Sequence, residues 1–397
     1  MSKRPVLRLR EASRSSTNDL SRSEARWLMD LGVADVSPGI RSVWDVRVRN
    51  VVGVVRHGDL VVEVAPKLPV ARVLWMLQEA GMVPDWTRNH APLADDLTIT
   101  DTVLELYLRS VKQLILGSGL RHGYLGLDDT AWTLRGRLRA GDQLTRGLGR
   151  MLPIEVHYDD YSLDTLPNRT LAAALDVVCR LSEGRAGASA LAARARALLS
   201  RFHGVALPPP GTTPLVEISS RLPEAYRSAL SIARLILGGG SLDAAVGARA
   251  GEGFLLPMPQ VFEGLVANML RAHHGPRLST QETLAYGTYE LGSPARRIRP
   301  DLVLTGDEGL PAVVLDTKYK RAEPTPSDLY QMHVYARKFG VQDVVLLYAE
   351  RTDPRMLLLE GSGREDADAI RLHVRGIDLT LHQDEIRHHM LAAASLS

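Results

Sequence analysis

From Val43 the apolar positions alternate with polar ones: Val43-Trp-Asp-Val-Arg-Val-Arg, then Val51-Val-Gly-Val-Val. After the turn His57-Gly58-Asp59 the pattern resumes as Leu60-Val-Val-Glu-Val-Ala-Pro66. A period of two predicts strands, here a β-meander or small barrel punctuated by Gly53 and Gly58. Pro66 stops the last strand because it has no N–H for a ladder. Elsewhere in the first half the period is that of a helix. It predicts helices over 21–31, 70–80 and 101–116, the last with Asp101 or Thr102 as N-cap and Gly117 as its stop. Residues 119–124 read as a loop, and a helix begins where Asp164 or Thr165 precedes Pro167, since proline suits a first turn. Further helices are expected over 188–202 and 222–237.

Two stretches break the pattern. Leu207-Pro208-Pro209-Pro210-Gly211 is a stiff connector, and Gly238-Gly239-Gly240 closes the helical middle. These divide the chain into a β-rich region 1–165, a helical region 166–240 with the Pro-rich connector, and a third region 241–397. The N-terminal half is thus α+β. The third region reads helix, hairpin, helix over 327–339, buried strand Asp343–Tyr348, a strand near Ile370 and a last helix from Gln383, hence α/β with a mixed sheet.

The candidate chemistry lies in that third region. Arg299-Pro300-Asp301 opens one short β-branched run, and Ala312-Val-Val-Leu-Asp316-Thr317-Lys318 closes another. The Gly306-Asp307-Glu308-Gly309 cluster between them predicts a turn. A hairpin brings Asp301 beside Asp316 and Lys318, and the latter two, being two apart, leave one face of their strand. Carboxylate oxygens suit Mg²⁺, which polarises a phosphate and acidifies a bound water, while a lysine can orient that water. Upstream, apolar residues at helical spacing from Phe262 place Glu263 on a helix; downstream, Gln331 and Tyr335 are four apart on another.

Composition narrows the setting. Lys plus Arg number 48 against 46 acidic residues, a net charge of +2, so no global basic field draws nucleic acid to the chain. Basic residues do gather locally: Arg296, Arg297 and Arg299 before Asp301, and Lys320 and Arg321 after Lys318. The single cysteine, Cys179, leaves no disulfide framework or cysteine zinc site. No stretch has the apolar length of a membrane span, and the N-terminus lacks a signal-peptide core, so a cytoplasmic protein without a membrane partner is expected. Asp159 and Asp160 read as solvated loop acids, with Arg135 and Arg137 either facing a partner or pairing with them.

Asp301, Asp316 and Lys318, with Glu263 before them, resemble the PD-(D/E)xK nuclease superfamily, and Gln331 with Tyr335 resembles the Q-x-x-x-Y signature of its RecB-type members. The order of Val62-Glu63-Val64-Ala65-Pro66-Lys67, Leu134-Arg135-Gly136-Arg137-Leu138, Tyr161-Ser-Leu-Asp164-Thr165-Leu-Pro-Asn168-Arg169 and the third-region motifs is similar to McrC. That is the nuclease subunit of McrBC-type modification-dependent restriction systems.

The resemblance implies a restriction-endonuclease-like third region cutting DNA with one or two Mg²⁺ ions, or Mn²⁺ in their place. Asp301, Asp316 and Glu263 would ligate the metal, and Lys318 would orient the water. Gln331, Tyr335, Arg299 and Lys320 would support the site or touch phosphate, and Arg135 and Arg137 would touch partner or DNA. It also implies a hexameric AAA+ GTPase partner like McrB, which reads 5-methylcytosine in double-stranded DNA and docks on the N-terminal region. The absence of a G-x-x-x-x-G-K-[ST] phosphate loop here agrees with that division. One departure is Pro257, where the family favours Asp just before Met258. Two other readings are a free-standing RecB-like nuclease and a non-cutting activator of an AAA+ NTPase.

Overall fold

Strand Asp343–Tyr348 is buried at every position after the first. Its Val-Val-Leu-Leu run suits a strand flanked on both sides and covered on both faces. The computed structural model describes residues 6–40, 43–84, 97–146, 150–183, 185, 188–209, 218–238, 252–287, 296–359 and 369–394. By its contacts the chain forms two compact units: Met1–Arg8, Gly53–Glu63 and Trp86–Leu255 make one, and Leu9–Val52, Val64–Asp85 and Leu256–Ser397 the other.

In the second unit six strands run in the order Leu278–Thr280, Leu302–Thr305, Pro311–Lys318, Asp343–Tyr348, Ile370–Gly376 and Arg355–Leu359. Pro311–Lys318 pairs antiparallel with Leu302–Thr305 and parallel with Asp343–Tyr348, which is parallel to Ile370–Gly376. The mixed sheet and the hairpin are as expected, and Gly309, at φ +77°, supplies the left-handed turn residue. The two edge strands, Leu278–Thr280 and Arg355–Leu359, are additions to that expectation. Both are short, and the edge strand Arg355–Leu359 exposes part of its apolar Met-Leu-Leu-Leu run, so neither shows a clear alternation. Met332, Tyr335, Ala336 and Phe339 of the helix Pro326–Phe339 pack on Val303, Val314, Val344 and Leu346 of the sheet.

The alternating run after Val43 does not form one meander. Trp44–Val48 sits between Arg14–Thr17 and Ala34–Pro38 in a three-stranded sheet. Val51–His57 and Leu60–Ala65 lie in a four-stranded sheet with Leu7–Arg10 and Glu252–Pro257. Partners far along the chain take these edges, and a local period does not carry that choice. Gly53 shows the cost of one such partner: a Cβ there would lie 2.3 Å from the Phe254 carbonyl oxygen.

In the first unit the helix expected from Asp101 spans Ile99–Gly117, and its cap is Thr98, whose Oγ1 accepts from Asp101 N. Thr165 caps Leu166–Ser182 as expected. The expected loop gives way at Gly123 to a strand, Gly123–Ala131, paired along nine residues with Ile154–Ser162; Arg137–Leu138 takes the other edge. Each long strand carries two consecutive acids, Asp128-Asp129 and Asp159-Asp160, which break its period of two. The Pro-rich connector beyond Pro209 and the glycine run beyond Gly238 lie outside the described residues. Among the described residues no helix is long and apolar enough to cross a membrane.

Candidate active site

Leu302 pairs with Leu315, so Asp301 and Asp316 follow at the same end of the hairpin on adjacent strands. Asp301 Oδ2 accepts two hydrogen bonds of 2.7 Å, from the N–H and the hydroxyl of Thr317. This fixes the backbone between Asp316 and Lys318. Those two side chains share a face, as alternation requires, with Lys318 Nζ 2.5 Å from Asp316 Oδ2. Asp316 Oδ2 is fully buried, and the Lys318 ammonium is its partner.

The helix Pro326–Phe339 completes this group. A capping box between Thr325 and Asp328 starts it, Pro326 fits its first turn, and Gly340, at φ +67°, ends it. Gln331 and Tyr335, one turn apart, point together at the strand end. Lys318 Nζ donates to Gln331 Oε1 at 3.0 Å. Gln331 Nε2 donates to Asp316 Oδ1 at 3.3 Å and to the Tyr335 hydroxyl oxygen at 2.8 Å. The Tyr335 hydroxyl in turn donates to the Arg299 carbonyl at 3.0 Å. One glutamine thereby holds both the carboxylate and the ammonium.

Asp328 is a site residue that the sequence reading misses. It is buried, and its Oδ2 accepts from Lys320 Nζ at 2.5 Å while Oδ1 lies 3.7 Å from Lys318 Nζ. Against its burial, the Lys320 ammonium and the Thr325 donors hold its carboxyl below the usual range. The capping-box spacing Thr325-x-x-Asp328 was the available signal, but a cap is the ordinary reading of that pattern.

The electrostatics follow from three acids near one strand end. Burial, and then the charge of Asp301, push the Asp316 carboxyl up to about 7. Burial and the same Asp301 charge raise Glu263, on the helix Met258–His274, which also accepts from Gln281 Nε2 at 3.0 Å. Burial opposes the charge on Lys318, but Asp316, Asp328 and Asp301 outweigh it and raise the ammonium's pKa. Pro257, at the N-cap of the Glu263 helix, makes no side-chain capping bond, the role an Asp there would fill.

These carboxylates suit a divalent cation. Their oxygens are hard donors, Asp316 is buried, and their mutual repulsion is what a cation relieves. Among the described residues no three His, Cys, Asp or Glu side chains gather closely enough to enclose a metal. The expected ligand set of Asp301, Asp316 and Glu263 is thus not drawn together into a three-carboxylate group.

Of the remaining candidates, Arg299 is exposed and its charge reaches Glu263, while Lys320 is half-buried and committed to Asp328. Arg297 and Arg321 are exposed, and the Arg296 side chain lies outside the described residues. Arg135 and Arg137 belong to the other compact unit. Arg135 covers the Tyr158 ring at 4.1 Å and lies 4.0 Å from Asp160, so it takes the acid-pairing option; Arg137 is exposed on its short strand.

Residues 46–349 match the family profile described as McrBC 5-methylcytosine restriction system component. Among solved structures, a chain from the refined half-complex of the tetradecameric assembly of Thermococcus gammatolerans McrB AAA+ hexamers with bound McrC is 18% identical, at a TM-score of 0.56. That match covers 98% of this chain and 99% of the other. A chain from the cryo-EM structure of the Thermococcus gammatolerans McrBC complex is 16% identical at a TM-score of 0.42, covering 67% and 87%. No curated protein matches. At such identity the first likeness bears on the fold alone, a mixed α/β arrangement of several sheets and helices.

Proposed function

Since this chain belongs to the family of McrBC 5-methylcytosine restriction system components, we propose that it is an McrC-like, Mg²⁺-dependent DNA endonuclease subunit working with an McrB-like AAA+ GTPase that recognises methylated DNA. The observation that carries the reading is the contact of Gln331 with both Asp316 and Lys318, with Asp301 anchored behind them. A PD-(D/E)xK site needs a carboxylate pair and a lysine at one strand end, and this network orders them.

In this reading Asp301 and Asp316 hold Mg²⁺, and Glu263 adds negative charge from the neighbouring helix. The bound ion supplies polarisation of the phosphate and acidification of a water. Lys318, kept charged by the surrounding acids, is a donor: it orients the attacking water and stabilises the anionic transition state. Gln331 keeps it aimed. Exposed Arg299 lies where it can meet the DNA backbone.

The N-terminal region is the motor-docking part in this reading. The Gly123–Ala131 and Ile154–Ser162 pair, with the segment and the helix Ala140–Arg146 between them, exposes Tyr124, Trp132, Leu134, Leu144, Met151 and Tyr161. Large apolar side chains concentrated on one exposed element mark a protein-binding surface. A half-complex of McrB hexamers with bound McrC gives the matching precedent for assembly.

The test is plasmid cleavage in Mg²⁺ with and without the AAA+ partner and nucleotide, on methylated and unmethylated DNA, with Asp316→Ala as control. Cutting only with all components supports the proposal. Methylation-blind cutting by the chain alone points to a free-standing nuclease. No cutting with increased partner hydrolysis points to an activator.

A further inference from the structure

The Lys67 ammonium sits 3.9 Å from the centre of the Tyr319 ring. Lys67 ends a strand motif near the N-terminus, and Tyr319 directly follows Asp316-Thr317-Lys318. Tyr319 is only 4% exposed, and Asn50 and Phe262 also contact it. Asn50 Nδ2 donates to its carbonyl at 3.0 Å. Phe262, next to Glu263, faces its ring with centroids 6.1 Å apart. Buried Glu11 lies by its hydroxyl; burial and the Glu11 charge together raise that hydroxyl's pKa.

The holders are tied to one another. Glu11 Oε2 accepts from the Lys67 N–H at 3.0 Å. The Asn50 carbonyl accepts at 3.0 Å from the N–H of Met258, the first residue of the Glu263 helix. All of these residues lie in one compact unit. Lys318 is therefore held from both sides. Asp301 fixes Thr317 before it, and the Glu11, Asn50, Lys67 and Phe262 group fixes Tyr319 after it. A group that must aim a water needs its backbone set to within roughly half an ångström, so such bracing bears on rate. A cation over a ring face is attracted by the ring's quadrupole, which an aliphatic cover is not.

We propose that Lys67 is a positioning residue for the nuclease site, acting through Tyr319 on the placement of Lys318 and of the Glu263 helix. This rests on the nuclease reading above. It gives a far N-terminal motif a role in cutting, beside any role of that region in docking.

The test uses the full chain with its AAA+ partner wherever cutting requires one. Lys67 is exposed, so Lys67→Met should fold. Its turnover on plasmid is expected to fall about tenfold, with half-saturating DNA and motor stimulation within about twofold of wild type. Lys67→Arg, which keeps the cation, is expected to restore turnover to within about threefold. A second readout is independent of cutting. Amide exchange over residues 317–320 should quicken about tenfold in Lys67→Met, while Asp343–Tyr348 stays unchanged. Turnover within about twofold of wild type, or an Arg variant as slow as Met, overturns the proposal. Unchanged exchange overturns it too. If the wild type cuts under no condition the nuclease reading falls, and exchange alone then decides whether the brace exists.

Discussion

Gln331 and Tyr335 are one helical turn apart and share a 2.8 Å hydrogen bond, and Gln331's bonds to Asp316 and Lys318 tie the helix Pro326–Phe339 to the strand end that carries them. The two residues differ in what they touch. Gln331 reaches both charged groups directly, whereas Tyr335 reaches them only through Gln331 and otherwise binds the Arg299 carbonyl. Gln331→Ala is expected to lower cleavage about 10–100-fold, and Tyr335→Phe by less than about tenfold. Steady-state plasmid cleavage measures both. Equal losses would show that Tyr335 acts directly.

Asp328 joins a cap to the site. Asp328→Ala removes the acceptor of Lys320 and the N3 partner of Thr325. The expected stability loss is about 1 kcal/mol. Loss of the charge also frees Lys320 and removes one of the acids that keep Lys318 charged, so cleavage should drop about tenfold. Asp328→Asn keeps an acceptor for the Thr325 N–H and is expected to recover most of the stability but not the rate. Denaturant unfolding and cleavage on the same samples separate the two effects.

Glu11 predicts a pH dependence of folding. Burial raises its carboxyl above the ordinary 4.5, against the pull of Lys67. A group with a raised folded pKa contributes fully below its unfolded value, and that contribution is lost as pH rises through the folded one. Glu11→Gln keeps an acceptor for the Lys67 N–H without a buried charge. Its melting temperature is therefore expected to exceed wild type above neutrality, with the gap closing below pH 4.5. Thermal melts across that range would show it, and a gap independent of pH would rule it out.

The apolar side chains on the Gly123–Ala131 and Ile154–Ser162 pair predict a separation of functions. Trp132 and Tyr124 are 74% and 77% exposed, so replacing both with Asp should cost the fold under about 0.5 kcal/mol. Stimulation of the partner's nucleotide hydrolysis is expected to be lost, while Mg²⁺ binding to the chain stays at the wild-type level. Hydrolysis assays at rising concentrations of this chain would reveal a weakened partnership as a rightward shift.

Much of the site is legible along the chain because its parts are local. Asp316 and Lys318 share a face by strand alternation, Gln331 and Tyr335 by helical period, and Asp301 joins them through a short hairpin whose turn residues are plain. Asp328 escapes because Thr325-x-x-Asp328 already has a sufficient role as a cap. The strands at Gly123–Ala131 and Ile154–Ser162 escape because consecutive acids, Asp128-Asp129 and Asp159-Asp160, put polar residues on both faces.

The sequence by itself determined the helices other than Ala140–Arg146, the hairpin, the buried parallel strand and the carboxylate–lysine–glutamine set, since each depends on neighbours within a few turns or one loop. Only the tertiary structure decided that Trp44–Val48 leaves the sheet of Val51–His57, and that Glu11, Asn50, Lys67 and Phe262 close around Tyr319. Those pairings join residues up to 308 positions apart, from Glu11 to Tyr319. Strand edges and buried side chains choose partners by shape, charge and hydrogen bonding across the whole fold, and no local period records which distant segment will arrive.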